Sequence, residues 1–159
     1  MTKFPSSADL LQLAVVEAQR GLAEGGVPIG AILVADGSTV LARGRNGTVQ
    51  HDDHLLHAET AAVRAAGALS DYSGTTLVTT MTPCWYCAGL VRFLGIGTLI
   101  VGDGTTWSTE PAEWLAATGT TVQFLDDDDC VAMFGSWLAT DPPAWSSLPV
   151  SADGNRSPS

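Results

Sequence analysis

Two short stretches of the 159-residue chain concentrate groups that bind metals and move protons: His57-Ala58-Glu59, and Pro83-Cys84-Trp85-Tyr86-Cys87. The thiolate is the form of cysteine that ligates a metal. The unpaired N–H groups and partial positive charge at a helix start favour it. Cys84 and Cys87, at i and i+3, fall on one face of a first helical turn and can reach one ion. Taken alone, Cys-x-x-Cys has three uses: a redox pair, half of a closed structural zinc site, or part of an open one. His57 completes a set of one imidazole and two thiolates. That set leaves the fourth tetrahedral position of a zinc ion to water, whose pKa falls on the metal from about 15.7 to near 7. On an ideal helix Glu59 splays from His57 by roughly 200°. Unless the first turn is distorted, Glu59 therefore stands beside the ion and can shuttle protons there; its plainer use is to stabilise the helix dipole. A closed site would instead recruit His54 or Cys130 as fourth ligand and leave Glu59 idle.

The surrounding elements must bring these groups together. Leu10, Leu11, Ala14, Val15, Ala18 and Leu22 recur at helical spacing behind Ser6, Ser7 and Asp9, which predicts a capped amphipathic helix ending at Gly25 and Gly26. Ile29 to Val34 and Val40 to Ala42, broken by Asp36-Gly37-Ser38, predict an antiparallel hairpin. His57 to Ala66, alanine-rich with Gly67 behind it, predicts a second helix. A strand over Thr75 to Thr80 and a helix over Cys84 to Leu94, ended by Gly95, come next. The alternation continues with strand 98–101, helix 110–118, strand 121–125 and helix 127–139. This order predicts an α/β fold, a three-layer α/β/α sandwich with a mixed sheet of about five strands, hairpin at one side and parallel crossovers at the other. Residues 1–150 read as a single domain and residues 151–159, rich in Ser, Pro, Asp and Asn, as an unstructured tail.

Composition narrows the partners. Seven Lys+Arg against 17 Asp+Glu give a net charge of −10, so the molecule repels a phosphate backbone, and Arg43 and Arg45 are too few to form a track; no nucleic-acid partner is expected. Only 15% of residues are charged and 45% are apolar, against about 25% charged in a typical domain, which excludes a disordered chain. No apolar run approaches a membrane span and no targeting segment opens the sequence, so the expectation is a cytoplasmic protein without a membrane partner. Three cysteines suit a reducing compartment. Cys130, after the acidic run Asp126 to Asp129, reads as a buried small apolar residue.

His-x-Glu followed by Pro-Cys-x-x-Cys is a known signature of zinc deaminases. With Gly26-Val27-Pro28-Ile29-Gly30, Gly44-Arg45-Asn46, Thr82-Pro83-Cys84, Cys87-Ala88-Gly89, Gly95-Ile96, Val101-Gly102 and a late Trp145 in order, the chain resembles the cytidine-deaminase-like superfamily. It is most similar to its fungal-type cytosine deaminases; guanine deaminases and tRNA adenosine deaminases share much of the pattern. The resemblance implies a hydrolase of C–N bonds in cyclic amidines, with Zn2+ on His57, Cys84 and Cys87 and Glu59 as the proton shuttle that assists departure of ammonia. It implies a small-molecule substrate, a free nucleobase or related heterocycle, and a homodimer. Asn46 resembles the asparagine that hydrogen-bonds the base on its amide edge, assisted by the backbone of Ala58. Trp107 resembles the aromatic that covers the ring and Trp145 the one that closes the pocket, with Ile29 and Met81 as apolar walls. In the fungal-type enzymes acidic residues follow that late tryptophan closely, one of them facing the base. Here Ser146, Ser147 and Leu148 follow it. The substrate range implied widens accordingly, from cytosine to a triazine-type analogue or a purine such as guanine or isoguanine. Asp141 or the run His51-Asp52-Asp53-His54 could supply a polar group from another direction, although the plainer reading of that run is a solvated loop.

Overall fold

A computed structural model describes residues 4–148. The tail expected over residues 151–159 and the last two residues of the 1–150 domain lie outside them. In chain order the elements are α1 (Ser7–Ala23), β1 (Gly30–Ala35), β2 (Thr39–Arg45), α2 (Thr48–His51), α3 (Ala58–Ala66) and β3 (Thr75–Met81). Then follow α4 (Trp85–Leu94), β4 (Thr98–Asp103), α5 (Glu110–Ala117), β5 (Thr121–Phe124), α6 (Asp128–Leu138) and α7 (Pro143–Ser146). The sheet runs β2-β1-β3-β4-β5. β1 is antiparallel to both β2 and β3, whereas β3, β4 and β5 are parallel, so the predicted mixed five-stranded sheet is present.

Alternation along the strands sorts the core into two layers. Leu33, Leu77, Leu99 and Val101 face the α3, α4 and α5 side, where Ala62, Val91 and Leu115 cover them. Ile32, Val34, Val78 and Ile100 face the other side, against Leu11, Ala14 and Val15 of α1 and Cys130 of α6. α1 starts from a capping box in which Ser6 and Asp9 satisfy each other's backbone N–H groups. α3 lies directly on β2 because Gly44 has no side chain: a Cβ there would meet the backbone of Ala62 and stand 2.6 Å from the Ala58 carbonyl oxygen. This contact sets the depth at which the start of α3 meets the sheet.

Three features differ from the sequence expectation. His57 and Cys84 are the N-caps of α3 and α4, one residue before the helices, each with extended backbone (ψ 164° and 172°). β2 extends to Arg45, a polar end of an edge strand held by ion pairs of Arg45 with Glu17 and Glu24. The short helices α2 and α7 have no apolar periodicity to announce them. Among the described residues no helix is long and apolar enough to cross a membrane.

Candidate active site

The loops at the carboxyl end of β3 and the start of α3 bring the metal-ligating groups together. His57 Nδ1 lies 3.6 Å from Cys84 Sγ and 3.4 Å from Cys87 Sγ, and the three donor atoms all fall within 4.8 Å of one another. Tetrahedral zinc, with Zn–S of about 2.3 Å and Zn–N of about 2.0–2.1 Å, requires an N···S separation near 3.5 Å. The residues therefore fit the ion in chemistry and in spacing. Among the described residues no fourth His, Cys, Asp or Glu joins the group. Cys130 is buried in the opposite layer, against Leu11 and Gly102, so it cannot close the site.

The extended N-cap explains the position of Glu59. The expected splay of Glu59 from His57 does not apply, because His57 stands outside the helix and only Glu59 follows its periodicity. Glu59 is 4% exposed, with Oε2 3.4 Å from Cys87 Sγ and Oε1 3.4 Å from the Thr79 hydroxyl. Burial pushes its carboxyl pKa up, and the negative charge of Cys84 adds to that. Cys84 is lowered to about 4: the Cys87 thiol hydrogen-bonds to it, and with His57 beside it this outweighs burial. Cys87 moves the opposite way, holding its proton as donor to Cys84 while burial and Glu59 disfavour a second thiolate. Burial presses the His57 pKa down, yet its hydrogen bond with Cys84 and the charge of Glu59 raise it overall. The backbone carbonyl of His54 hydrogen-bonds the His57 ring, and Tyr86 meets it edge-on at 5.6 Å, so the imidazole is held from two sides.

A cavity of ≈ 220 Å³ opens over these groups. Ile29, Asn46, Met81, Trp107 and Trp145 all line it, together with His57, Glu59 and Cys84. Trp107 and Trp145 pack edge to face at 5.0 Å, and Phe134 and Trp137 of α6 brace Trp145 from behind. Cys87 and Ala58 are not part of the wall; both are fully buried, and Ala58 packs its side chain into the core as the first residue of α3. Of the alternative polar sources, His54 reaches the cavity. Asp53 spends its carboxylate on the Leu55 N–H, and Asp141 sits exposed at a left-handed turn between α6 and α7, away from the wall. Sequence reasoning missed Thr48, Trp85 and Tyr86 on the wall. The signal for the aromatics was their place between the two cysteines, since the first residues of α4 must flank whatever Cys84 and Cys87 hold.

A sandwich of this topology, with an open His-Cys-Cys group that can hold zinc beside a buried carboxylate, has the parts of a metal-dependent hydrolase. Residues 5–103 match the cytidine and deoxycytidylate deaminase zinc-binding region. The chain is 30% identical over 137 residues to the cytosine deaminase of Candida albicans, covering 85% of this chain and 91% of that one. It is 41% identical over 95 residues to the tRNA-specific adenosine deaminase of Agrobacterium fabrum, covering 58% and 62%. The structure of a guanine deaminase from Nitrosomonas europaea superimposes with a TM-score of 0.73 at 22% identity, covering 87% of both chains, a likeness of fold. The protein belongs to the cytidine and deoxycytidylate deaminase family and is a zinc deaminase.

Proposed function

We propose that this deaminase acts on a free amino-substituted base or closely related heterocycle, cytosine or a triazine-type analogue of it, exchanging the amino group for oxygen from water and releasing ammonia. The observation that carries the reading is the make-up of the cavity wall: aromatic and aliphatic faces, the Asn46 amide and the Glu59 carboxyl, with no Lys or Arg from the described residues to hold a phosphate. The near full-length similarity to a fungal cytosine deaminase supports the same class. Ile29 and Met81 sandwich the ring with Trp107, Trp145 excludes bulk water, and Asn46 fixes the amide edge. Zinc on His57, Cys84 and Cys87 supplies the Lewis acidity that makes water nucleophilic near neutral pH. Glu59 takes a proton from the attacking water and delivers it to the ring nitrogen beside the amino-bearing carbon; it then takes the second proton, from the hydroxyl left on that carbon, and gives it to the amino group, which leaves as ammonia as the carbonyl forms. The buried, raised carboxyl suits a group that must both accept and give a proton.

Local similarity to tRNA-specific adenosine deaminases favours a second reading, a nucleic-acid substrate, which the net charge of −10 opposes. The test is ammonia release from cytosine, triazines, guanine, isoguanine, nucleosides and adenosine-bearing tRNA, by the native protein and by Glu59→Ala. Turnover of bases, lost in a variant that keeps its zinc, supports the proposal; turnover confined to tRNA or nucleosides overturns it. The homodimer belongs to the same reading. α4 exposes Trp85, Tyr86 and Phe93 along one face, an apolar strip suited to a second copy. A dimer mass that Phe93→Glu halves in solution supports it, and a native monomer overturns it.

A further inference from the structure

The orientation of Asn46 is set by a neighbour that sequence reasoning passed over. Asn46 follows the end of β2, where its backbone N–H donates to the Ile29 carbonyl at 2.9 Å and its own carbonyl accepts from Gln50 Nε2 at 3.4 Å. Its main chain is therefore fixed. Its side-chain Oδ1 accepts two hydrogen bonds from Thr48, one from the backbone N–H at 3.1 Å and one from the hydroxyl at 2.8 Å. A backbone N–H can only donate, so the amide atom facing it has to be the oxygen. Turning the amide over would set NH2 against N–H and forfeit the acceptor of the shorter bond. The amide nitrogen has no hydrogen-bond partner among the described residues, and Asn46, 6% exposed, lines the cavity on one side and a hollow beside Gln50, where its backbone carbonyl is already bonded, on the other.

We infer that Thr48 is a specificity-determining positioning residue: it locks the Asn46 amide so that the cavity receives N–H donors and no acceptor from it. An unlocked asparagine would serve either polarity by rotating about its last torsion. A locked one selects rings that present an acceptor at that edge, a carbonyl oxygen above all, and rejects rings that carry an amino group there, because donor would face donor in a site closed to water. The inference rests on the base-deaminase reading above and narrows it to aminated rings with a carbonyl adjacent to the reacting amidine.

The experiment compares kcat/KM of the zinc-loaded full chain on matched pairs, cytosine against 2,4-diaminopyrimidine and guanine against 2,6-diaminopurine. The native enzyme favours the carbonyl member of the pair it accepts by at least tenfold. Thr48→Val, which keeps the side-chain shape and the backbone N–H, lowers that ratio three- to tenfold through KM of the carbonyl member, with kcat and zinc content retained, and Thr48→Ser restores it. Asn46→Asp keeps both bonds from Thr48 but turns an acceptor into the cavity, and inverts the preference. A ratio that neither variant moves, or a Thr48→Val loss shared equally by both members and not recovered by serine, overturns the lock and leaves the base-deaminase reading standing. Failure of the native enzyme to release ammonia from any base overturns both.

Discussion

Gly44→Ala tests whether the fold positions the chemistry in the way described. Gly44 does not line the cavity, yet the added Cβ would stand 2.6 Å from the Ala58 carbonyl oxygen and meet the Ala62 backbone nitrogen as well. Neither neighbour is a flexible side chain, so α3 must retreat by about 0.8 Å or more to restore ordinary contact near 3.4 Å. His57 and Glu59 ride on the start of that helix, whereas Cys84 and Cys87 ride on α4 and stay behind. The His57 Nδ1···Sγ spacings of 3.4 and 3.6 Å, which match a tetrahedral ion, would open by a comparable amount. A misplacement approaching 1 Å costs on the order of 100-fold in rate, and overpacking costs about 1–3 kcal/mol in stability. The expected result is a folded variant with a lower Tm, weaker zinc retention against a chelator and kcat reduced about 100-fold. Gly135→Ala is the control: a Cβ there meets nothing within 4 Å, so this α6 substitution gains about 0.5–1 kcal/mol of helix stability with the site unchanged. If Gly44→Ala binds zinc and turns over like the native protein, the close contact of α3 with β2 does not set the site and the reasoning fails.

Cys84→Ser lowers bound zinc well below one ion per chain, whereas Cys130→Ala leaves it unchanged and costs about 1 kcal/mol of stability; metal analysis and thermal melts check both. In the metal-free protein Cys84 is a thiolate above a pKa of about 4, so its alkylation persists at pH 5 and fades only as pH falls through 4, while Cys87 stays unmodified near neutrality; peptide mass mapping across pH distinguishes them. Asp103→Ala removes the acceptor of the Thr105 and Thr106 N–H groups, loosens the loop that carries Trp107, and raises KM by about tenfold with kcat less affected. The Asp103 carboxyl is lowered despite burial, by hydrogen bonds from Thr106 and Thr105. Its contribution to stability is therefore complete above the unfolded carboxyl pKa of about 3.9 and is lost as pH falls below it. Acid unfolding that is equally steep in Asp103→Asn refutes that assignment.

Much of the scaffold was readable because local chemistry and tertiary packing agreed. Ser6 and Asp9 cap α1, Gly67 and Gly95 end α3 and α4, and the strands are apolar where both faces are covered. That His57, Cys84 and Cys87 would come together was legible from residue type, spacing and the His-x-Glu…Pro-Cys-x-x-Cys pattern, and the three donor atoms do group within reach of one ion. What escaped is what depends on long-range placement. Thr48 lies in a stretch of polar and mixed residues without periodicity, and only the return of β2 toward α3 puts it at the cavity; the same return decides that, of the candidate run His51 to His54, His54 lines the wall. α7 is four residues long, and its Trp145 finds its place through Phe134, Trp137 and Trp107, none of which is a sequence neighbour.

The one geometric expectation that failed carries the design of the site. Had His57 been the first residue inside α3, helical periodicity would have fixed Glu59 roughly 200° around the axis from it, beside the ion and not toward it. An extended N-cap removes that constraint: the imidazole leaves the chain before the helix begins, and Glu59, one residue into the turn, follows the helix face that packs toward Thr79 and Cys87. Cys84 uses the same device at the start of α4, with Cys87 inside the first turn. Two helices thus point their N-termini, and the positive ends of their dipoles, at a cluster that must hold two thiolates and a carboxylate close together. Like charges this near would otherwise repel, and the divalent ion completes the balance. Inserting one alanine between His57 and Glu59 would break this arrangement while leaving the ligand residues intact. The expected result is a variant that binds zinc and fails to turn over; retained turnover would mean that a group other than Glu59 carries the proton.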